Sequence, residues 1–437
     1  MTARLRRLLV PGASFAVLVV GAPAATGAQV SRHVLSNGMT VIVRESRAAR
    51  VVAVSLQVDA ATHPETEETA GITNFLHHAM LRGTSRRPAS QVAEAADELG
   101  GALEASGDAD HGEIRGHALA RHWDALLTLI ADVALDPALP GTEVEVQRRL
   151  ILSQIQNRED NPFPLALDTL LRGLYGSHPY AWPALGRRGS IAGITRESLI
   201  AHHRALYRPD RLVLAVSGDI ERERVVPLVE RRFGALRRPT GGGNAAAVAA
   251  PPILAADRRV IERAAHQAQV LVGFLGPPLR DPDHAATKVL AALLGGGLSS
   301  RLFLEIRERR GLAYSVGLLS PARPGPGYLV AHVRTSRATA ETAERELHRQ
   351  LEIITGEPPS EEEVERAKAY VLGAHVMDRR TNARHAWYLA FYELIGAGWE
   401  FPDRSAAAVS RVTAADVVAA ARRYLTRSRT VVLLPPR

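Results

Sequence analysis

Apolar and polar residues alternate in several short segments of the chain, and this alternation predicts β-strands. Val52, Val54, Leu56 and Val58 alternate with small or polar residues, so they should line one face of a strand. Further apolar segments predict strands over 212–217, 269–274, 312–319 and 327–335. The segment 33–43 has two such runs around Asn37-Gly38, which predicts a hairpin with a type I′ turn.

Helical patterns separate these strands along the chain. Apolar residues recur at helical spacing over 91–99, 123–133, 299–310 and 338–354. Gly311 follows the third of these segments and is placed to end it as a left-handed cap. Strands mixed with helices, with hairpins prominent, predict an α+β fold.

Three landmarks recur at a constant offset of 218 residues, which predicts a duplicated chain. Thr142-x-x-Glu145 and Ser360-x-x-Glu363 both have the sequence of a capping box. Thr195 and Thr413 each precede a predicted helix, and 208–210 and 426–428 each precede an apolar strand. The alternative is a pair of unrelated α+β domains, which would not share one offset.

The predicted organisation has four parts. Residues 1–28 form a signal peptide, 29–238 a first domain, 239–252 a linker and 253–437 a second domain. The linker is predicted from its glycines, alanines and prolines. Related halves tend to enclose a cleft between them, and such clefts are common binding sites.

The N-terminus has the order of residues typical of a secretory signal. Arg4, Arg6 and Arg7 precede an apolar run over 8–20, and small residues follow up to Ala28. The run is short for a membrane span and contains Pro11. We expect cleavage near residue 28 and export; the alternative is an N-terminal anchor that is retained.

Composition excludes several classes of function. The sequence has no cysteine, so disulfides, thiolate zinc sites and iron–sulfur clusters are excluded. The net charge of +8 is small for 437 residues and shows no basic stripe with interleaved aromatics, so nucleic-acid binding is not predicted.

The stretch 71–84 carries the most specific signal of the first half. It resembles the metal-binding helix of the pitrilysin/insulinase family of zinc peptidases, which includes the mitochondrial processing peptidases and has the signature H-x-x-E-H. In that signature, two histidines at i and i+4 share one face of a helix and one zinc ion, and the glutamate activates the bound water. A glutamate on another helix is the third ligand.

Of the three ligand positions and the base position, only His78 keeps the residue type that the family has there. Asn74 stands at the first ligand, His77 at the base and His78 at the second ligand. Gln154 stands at the third ligand, 76 positions after His78, and Gln147 replaces a supporting glutamate. The resemblance therefore implies a degenerate site, and we expect this chain to bind no zinc of catalytic affinity. An alternative is a metal held by His77, His78 and His111, although neighbouring helical residues rarely share one ion.

The resemblance continues through most of the chain, with Ser177-His178-Pro179-Tyr180 in the first half and a long block over 295–315 in the second half. Arg307 and Tyr314 match the pair that holds substrate opposite the zinc in active relatives. Arginine suits binding to carbonyl oxygens, and tyrosine can donate to an oxyanion. The structural alternative is a surface arginine and a buried tyrosine. Gly295, Gly296 and Gly297 are candidates for a loop that contacts substrate, or else for a tight turn between helices.

The resemblance implies a fold of two homologous α/β-sandwich halves, each a mainly antiparallel sheet covered by helices. It also implies a function: a non-catalytic subunit, exported to the bacterial periplasm, that supplies Arg307 and Tyr314 to a zinc-bearing paralogous partner. The partner would hold the zinc and cleave unstructured peptides. Two alternatives stay open: a peptide-binding or assembly protein without a role in proteolysis, and an active metalloendopeptidase with atypical ligands.

Overall fold

The computed structural model describes residues 28–237, 251 and 255–437. Apart from Ala28 and Pro251, the predicted signal peptide and linker lie outside the described residues. No helix in the described part of the chain is both long enough and apolar enough to cross a membrane.

The chain forms two successive groups of strands and helices. The first group comprises β1 (Gln29–Val34), β2 (Thr40–Glu45), β3 (Val51–Asp59), α1 (Ile72–Met80), α2 (Ala89–Glu98), β4 (Ala102–Gly107), β5 (His111–Leu119), α3 (Trp123–Leu135), α4 (Gly141–Asp160), α5 (Pro162–Tyr175), α6 (Arg188–Gly193), α7 (Arg196–Leu206), β6 (Leu212–Gly218) and α8 (Arg222–Phe233). The second comprises β7 (Asp257–Glu262), β8 (Ala268–Gly276), α9 (His284–Gly295), a π-helix (Phe303–Arg309), β9 (Ser315–Leu319), β10 (Gly327–Thr335), α10 (Ala340–Gly356), α11 (Glu361–Asp378), α12 (Asn382–Leu394), α13 (Phe401–Ser410), α14 (Ala414–Tyr424) and β11 (Arg429–Leu434).

The two sheets have the same strand order, which supports the predicted duplication. The first runs β1-β2-β6-β3-β5-β4 and the second β7-β11-β8-β10-β9, so the second sheet repeats the first without β1. In each sheet one pair of neighbours is parallel, β2 with β6 and β7 with β11, and the other pairs are antiparallel. The predicted fold class, two mainly antiparallel sheets covered by helices, is confirmed.

Each half covers one face of its sheet with its own helices. In the first half α3 contacts β3 and β5, and α8 contacts β2. In the second half α10 contacts β8 and β10, and α14 contacts β8.

The opposite face of each sheet is covered by a helix from the other half. Helix α12 lies on β3 and β6 of the first sheet, and α5 lies on β8 and β11 of the second sheet. Leu389 of α12 packs with Ile42 and Val213, and Leu170 of α5 packs with Leu271 and Val431. The two halves are therefore interlocked by a reciprocal exchange of helices.

This exchange explains why β3 is buried on both faces. Val52, Val54, Leu56 and Val58 line one face, as the alternation predicts, but Ala53, Ser55 and Gln57 on the other face are buried as well. Buried polar groups need partners. Ser55 donates to the carboxylate of Glu113 at 2.6 Å, and Gln57 donates to the backbone oxygen of Trp387 at 3.3 Å.

Two local predictions are wrong. The hairpin of β1 and β2 forms, but Asn37 does not adopt the positive φ of a type I′ turn; Gly38 alone does, at 95°. The Asn37 side chain instead accepts from the backbone N–H of Met39 at 3.1 Å. Thr142 does not cap α4, because that helix begins at Gly141, two residues earlier than a cap at Thr142 predicts, and Pro140 occupies the cap position.

The other predicted caps are present. Ser360 with Glu363, Thr195 with Ser198 and Thr413 with Asp416 each form a capping box. The two helices that follow Thr195 and Thr413 begin and end 218 residues apart. The segment 299–310, predicted as an α-helix, is mostly a π-helix, and Gly311 ends it with φ 62° as expected.

Candidate functional site

The helix that carries the degenerate signature, α1, begins at a buried carboxylate. Gly71 precedes it with φ 87°, and a Cβ there would lie 2.6 Å from the Cα of Gly186. Glu65 accepts from the backbone N–H of Gly71 at 2.7 Å and of Thr73 at 3.0 Å. A carboxylate at a helix N-terminus satisfies free N–H groups and is favoured by the helix dipole. Sequence reasoning missed Glu65, which precedes the helix by more than one turn.

His77, at the position of the catalytic base, is a fully buried side chain with both ring nitrogens in use. Its Nδ1 lies 2.7 Å from the carbonyl oxygen of Thr73, and its Nε2 lies 3.0 Å from the hydroxyl of Tyr207. Because a carbonyl oxygen only accepts, Nδ1 carries the hydrogen, and Nε2 accepts from Tyr207. Burial lowers the pKa of His77 to about 3, so the ring is neutral at physiological pH.

The wall behind His77 is the backbone of β5. A Cβ on Gly112 would lie 2.0 Å from the Cε1 atom of His77, so the ring fills the space that any larger residue at 112 would need. Tyr207 also stacks on His203, with ring centroids 4.5 Å apart. His77 is therefore a packed and hydrogen-bonded core residue rather than a base directed at solvent.

The two ligand positions on α1 differ in their surroundings. Asn74 is buried, and its Nδ2 atom has no hydrogen-bond partner among the described residues. His78 is half-buried, and burial, with a further contribution from Arg82, lowers its pKa. An amide and a neutral imidazole thus stand where two imidazoles are needed.

The helix that should supply the third ligand, α4, contacts α1 but presents amides. Gln154 is exposed. Gln147 is buried and accepts two hydrogen bonds from Arg82, at 3.1 and 3.2 Å. No group of three or more His, Asp or Glu side chains in the described residues is arranged to hold a metal ion.

His111, the third member of the alternative metal set, is a partly buried side chain beside a carboxylate. Its Nδ1 lies 3.2 Å from Oδ1 of Asp108, at ion-pair distance but outside hydrogen-bond geometry, and its ring packs edge-on against Phe391. Burial opposes protonation of the ring, whereas the neighbouring carboxylate of Asp108 favours it. The net effect is that the pKa of His111 is raised.

Arg307 and Tyr314 lie on either side of the corner between the π-helix and β9, and both are accessible. The side chain of Arg307 is 44% exposed and Tyr314 is 56% exposed. The guanidinium of Arg307 lies 5.0 Å from the centroid of Phe303, and its nearest carboxylate oxygen, on Glu308, is 3.9 Å away. Gly311 makes the corner between them, with the backbone N–H of Leu312 donating to Ile306 at 2.9 Å.

Glycines 295–297 form the turn between α9 and the helical segment that follows. A Cβ on Gly295 would lie 2.2 Å from the backbone nitrogen of Leu318, and one on Gly296 would lie 2.6 Å from the Cα of Ala292. Gly297 has φ 130°. Close backbone contact and a positive φ account for glycine at all three positions.

The Ser177–Tyr180 motif has a structural role at the junction of the halves. Tyr180 donates a hydrogen bond to Asp110, and its oxygen accepts from the backbone N–H of Gly325 at 3.2 Å. The guanidinium of Arg323 lies 4.3 Å from the centroid of the Tyr180 ring. Burial and the neighbouring Asp108 raise the pKa of Asp110 to about 6.

Family models match two consecutive parts of the chain. Residues 40–187 match the model of the insulinase family, peptidase family M16, and residues 193–371 match the model described as the peptidase M16 inactive domain.

Relatives of this chain are named as zinc proteases. An uncharacterized zinc protease of Mycobacterium leprae is 35% identical over 67% of this chain and 66% of its own length. One of Mycobacterium tuberculosis is 30% identical over 93% of each chain.

Solved structures share the fold at lower identity. A peptidase M16 inactive domain from Pseudomonas fluorescens superposes with a TM-score of 0.84 at 23% identity, over 93% of this chain and 98% of its own. A protease from Helicobacter pylori has a TM-score of 0.86 at 20% identity, over 93% and 100%. Taken with the strand order and the degenerate helix α1, these matches show that the chain belongs to peptidase family M16, the insulinase family.

Proposed function

We propose that this chain is the non-catalytic subunit of an exported, heterodimeric zinc peptidase, and that it supplies Arg307 and Tyr314 to the active site of a zinc-bearing partner. The observation that carries the proposal is a contrast between the halves. The first half has amides and an engaged imidazole where metal ligands and a base are needed, whereas Arg307 and Tyr314 are exposed in the second.

The donor set on α1 and α4 does not suit a catalytic zinc ion. Zinc in such sites takes imidazole nitrogens and carboxylate oxygens, and an ionised ligand offsets its charge. Asn74 and Gln154 are neutral amides, and the Nε2 lone pair of His77 is directed at Tyr207. The zinc of the proposed enzyme is therefore assigned to the partner.

Arg307 and Tyr314 suit contact with a bound peptide. Arg307 lies over Phe303, and among the described residues its nearest carboxylate oxygen, on Glu308, is 3.9 Å away, so most of its donors are available to backbone oxygens of a substrate. Tyr314 is fixed through its backbone N–H, which donates to Arg334 at 2.9 Å, while its ring projects into solvent. A hydroxyl on a fixed backbone can donate to a carbonyl oxygen in a partner's site.

The proposal is tested by reconstitution with a paralogue that has an intact H-x-x-E-H helix. Adding the chain should raise the rate at which the paralogue cleaves a fluorogenic, unstructured peptide. Arg307→Ala should reduce this stimulation by roughly tenfold to a hundredfold, since a hydrogen bond to a charged group contributes about 1.5–3 kcal/mol. Arg309→Ala is the matched control, because Arg309 lies on the same π-helix but is paired with Glu305.

Failure of stimulation by the wild-type chain, or equal stimulation by the Arg307→Ala variant, would overturn the proposal. Peptide binding by the isolated chain without stimulation of a peptidase would favour the peptide-binding alternative instead. Export is part of the proposal and rests on the N-terminal signal. Recovery of the chain from the cytoplasmic fraction with residues 1–28 still attached would contradict it.

A further inference from the structure

A cleft in the second half, lined by no residue of α1 or α4, has both basic and aromatic side chains in its lining. It has a volume of about 400 Å³ and lies between α9, α11, α12 and α13. This volume is within the range of small-molecule sites, roughly 300–1,000 Å³. The aromatic part of the lining is Tyr370, Tyr388, Tyr392 and Phe401.

Lys288 is the one lysine among the residues that line this cleft in the described part of the chain. Its Nζ donates to the backbone oxygen of Ser320 at 2.7 Å, and an ammonium group has two further N–H donors. Among the described residues no carboxylate lies within ion-pair distance of this nitrogen, and burial lowers the pKa of the amine. A largely buried amine without a counterion is costly unless an anion completes its surroundings.

Two histidines line the same cleft as Lys288. His284 is one helical turn before Lys288 on α9, so the two side chains share a face, and burial with repulsion from Lys288 lowers the pKa of His284 to about 4. His375 of α11 also lines the cleft, and its Nε2 is buried without a partner among the described residues. Neutral imidazoles can each donate one hydrogen bond to an anion.

Among the described residues that line the cleft, only Asp378 has a carboxylate, and its charge is already compensated by an arginine. Asp378 accepts from the guanidinium of Arg384 and from the hydroxyl of Tyr388. It therefore does not serve as the counterion of Lys288.

The sequence adds an independent indication. Lys288 and Lys368 are the only lysines in the chain, and all other residues counted as positively charged at pH 7 are arginines. A compact ammonium on a flexible stem fits a small buried space in which a planar guanidinium would not.

We propose that this cleft binds a carboxylate attached to an aromatic or aliphatic body, with the carboxylate at Lys288, His284 and His375 and the body against the aromatic rings. Both the C-terminus of a peptide and a free small carboxylic acid have this chemistry. The site is independent of the proposed partnership, because its lining includes neither Arg307 nor Tyr314.

Calorimetry on the full chain tests the proposal with three probes. N-acetylphenylalanine should bind at least roughly tenfold more tightly than N-acetylphenylalaninamide, which lacks the charge. The third probe, 3-phenylpropanoate, separates the two sources: weaker binding than N-acetylphenylalanine indicates a peptide C-terminus, and tighter binding a free acid. Either order supports a carboxylate site.

Lys288→Met should reduce binding of N-acetylphenylalanine by at least roughly tenfold. Lys368→Met is the matched control and should leave it unchanged, because Lys368 is paired with Glu365 outside the cleft. Equal binding of acid and amide, no binding of the acid up to about 10 mM, or unchanged binding by Lys288→Met would overturn the proposal.

A measurement on the wild-type chain decides the matter even if the Lys288→Met variant does not fold. Acetylation by an amine-reactive ester, followed by mass spectrometry, reports on both lysines separately. N-acetylphenylalanine should slow the acetylation of Lys288 several-fold and leave Lys368 unaffected, whereas equal rates at Lys288 with and without it would overturn the proposal.

Discussion

The hydroxyl of Tyr207 lies 3.0 Å from the Nε2 atom of His77, although 130 residues separate the two. This hydrogen bond uses the lone pair that a base or a metal ligand at position 77 would need. The histidine at position 77, which stands where the signature has glutamate, has therefore become part of the core of the first half.

Tyr207→Phe should destabilise the protein by about 1–3 kcal/mol, because it leaves the buried Nε2 atom of His77 without a donor. Chemical unfolding in urea measures the effect. Tyr370→Phe, in which the lost hydroxyl belongs to an exposed side chain, should change the free energy of unfolding by less than about 0.5 kcal/mol. Equal effects of the two substitutions would contradict the assigned hydrogen bond.

Restoring the signature should not by itself restore a good zinc site. In the variant Asn74→His, His77→Glu, Gln154→Glu, the new carboxylate at 77 would enter a space closed by Gly112 and Tyr207. We expect the variant to be less stable than wild type by several kcal/mol at neutral pH, since it buries an unpaired charge.

Metal analysis provides the measurement for the wild-type chain and the variant. We expect well under one zinc ion per purified wild-type chain. Stoichiometric zinc that a chelator removes together with peptidase activity would favour the metalloendopeptidase with atypical ligands.

Asp110 should make the stability of the protein fall as pH rises between about 4 and 6. Its pKa is raised from an ordinary value near 3.8 to about 6 in the folded chain, so the folded state holds a proton that the unfolded state has lost. The stabilisation is complete below the ordinary pKa and is lost as pH rises through about 6.

The comparison with Asp110→Asn isolates this contribution. Wild-type stability relative to the variant should decline by at least about 1 kcal/mol from pH 4 to pH 6. Asp97→Asn, at an exposed position, is the control and should show no such slope. A difference between wild type and Asp110→Asn that stays constant over this range would contradict the assignment.

The exchange of α5 and α12 predicts that neither half folds well alone. Residues 29–237 would expose Ile42, Val213 and the rest of the surface that α12 covers. Coexpressed as two polypeptides divided between 239 and 252, the halves should copurify as a complex. Each half expressed separately should aggregate or show a broad unfolding transition, whereas a monomeric half that unfolds cooperatively would contradict the interlocked arrangement.

Local sequence patterns determined most of the elements of this protein. The caps at Thr195, Ser360 and Thr413, the turn at Gly311 and the periodic strands depend on contacts within a few residues, and each lies where the pattern predicts it. The sequence also predicts the duplication, because the helices after Thr195 and Thr413 keep their offset of 218 residues although most of their residue identities differ. The departure from the zinc signature at Asn74, His77 and Gln154 needed only the spacing of residues along the chain.

Tertiary structure decided what those residues contact. No local pattern pairs His77 with Tyr207, places α12 over β3 or shows that Lys288 has no counterion among the described residues, since each depends on segments far apart in sequence. The burial of both faces of β3 has the same origin. The alternation of apolar residues predicts only the face that packs against helices of its own half, whereas the other face is covered by α12 from the second half. The sequence therefore determined the kind of elements and their order. Tertiary packing determined which polar side chains have hydrogen-bond partners within the protein and which remain free to bind a ligand.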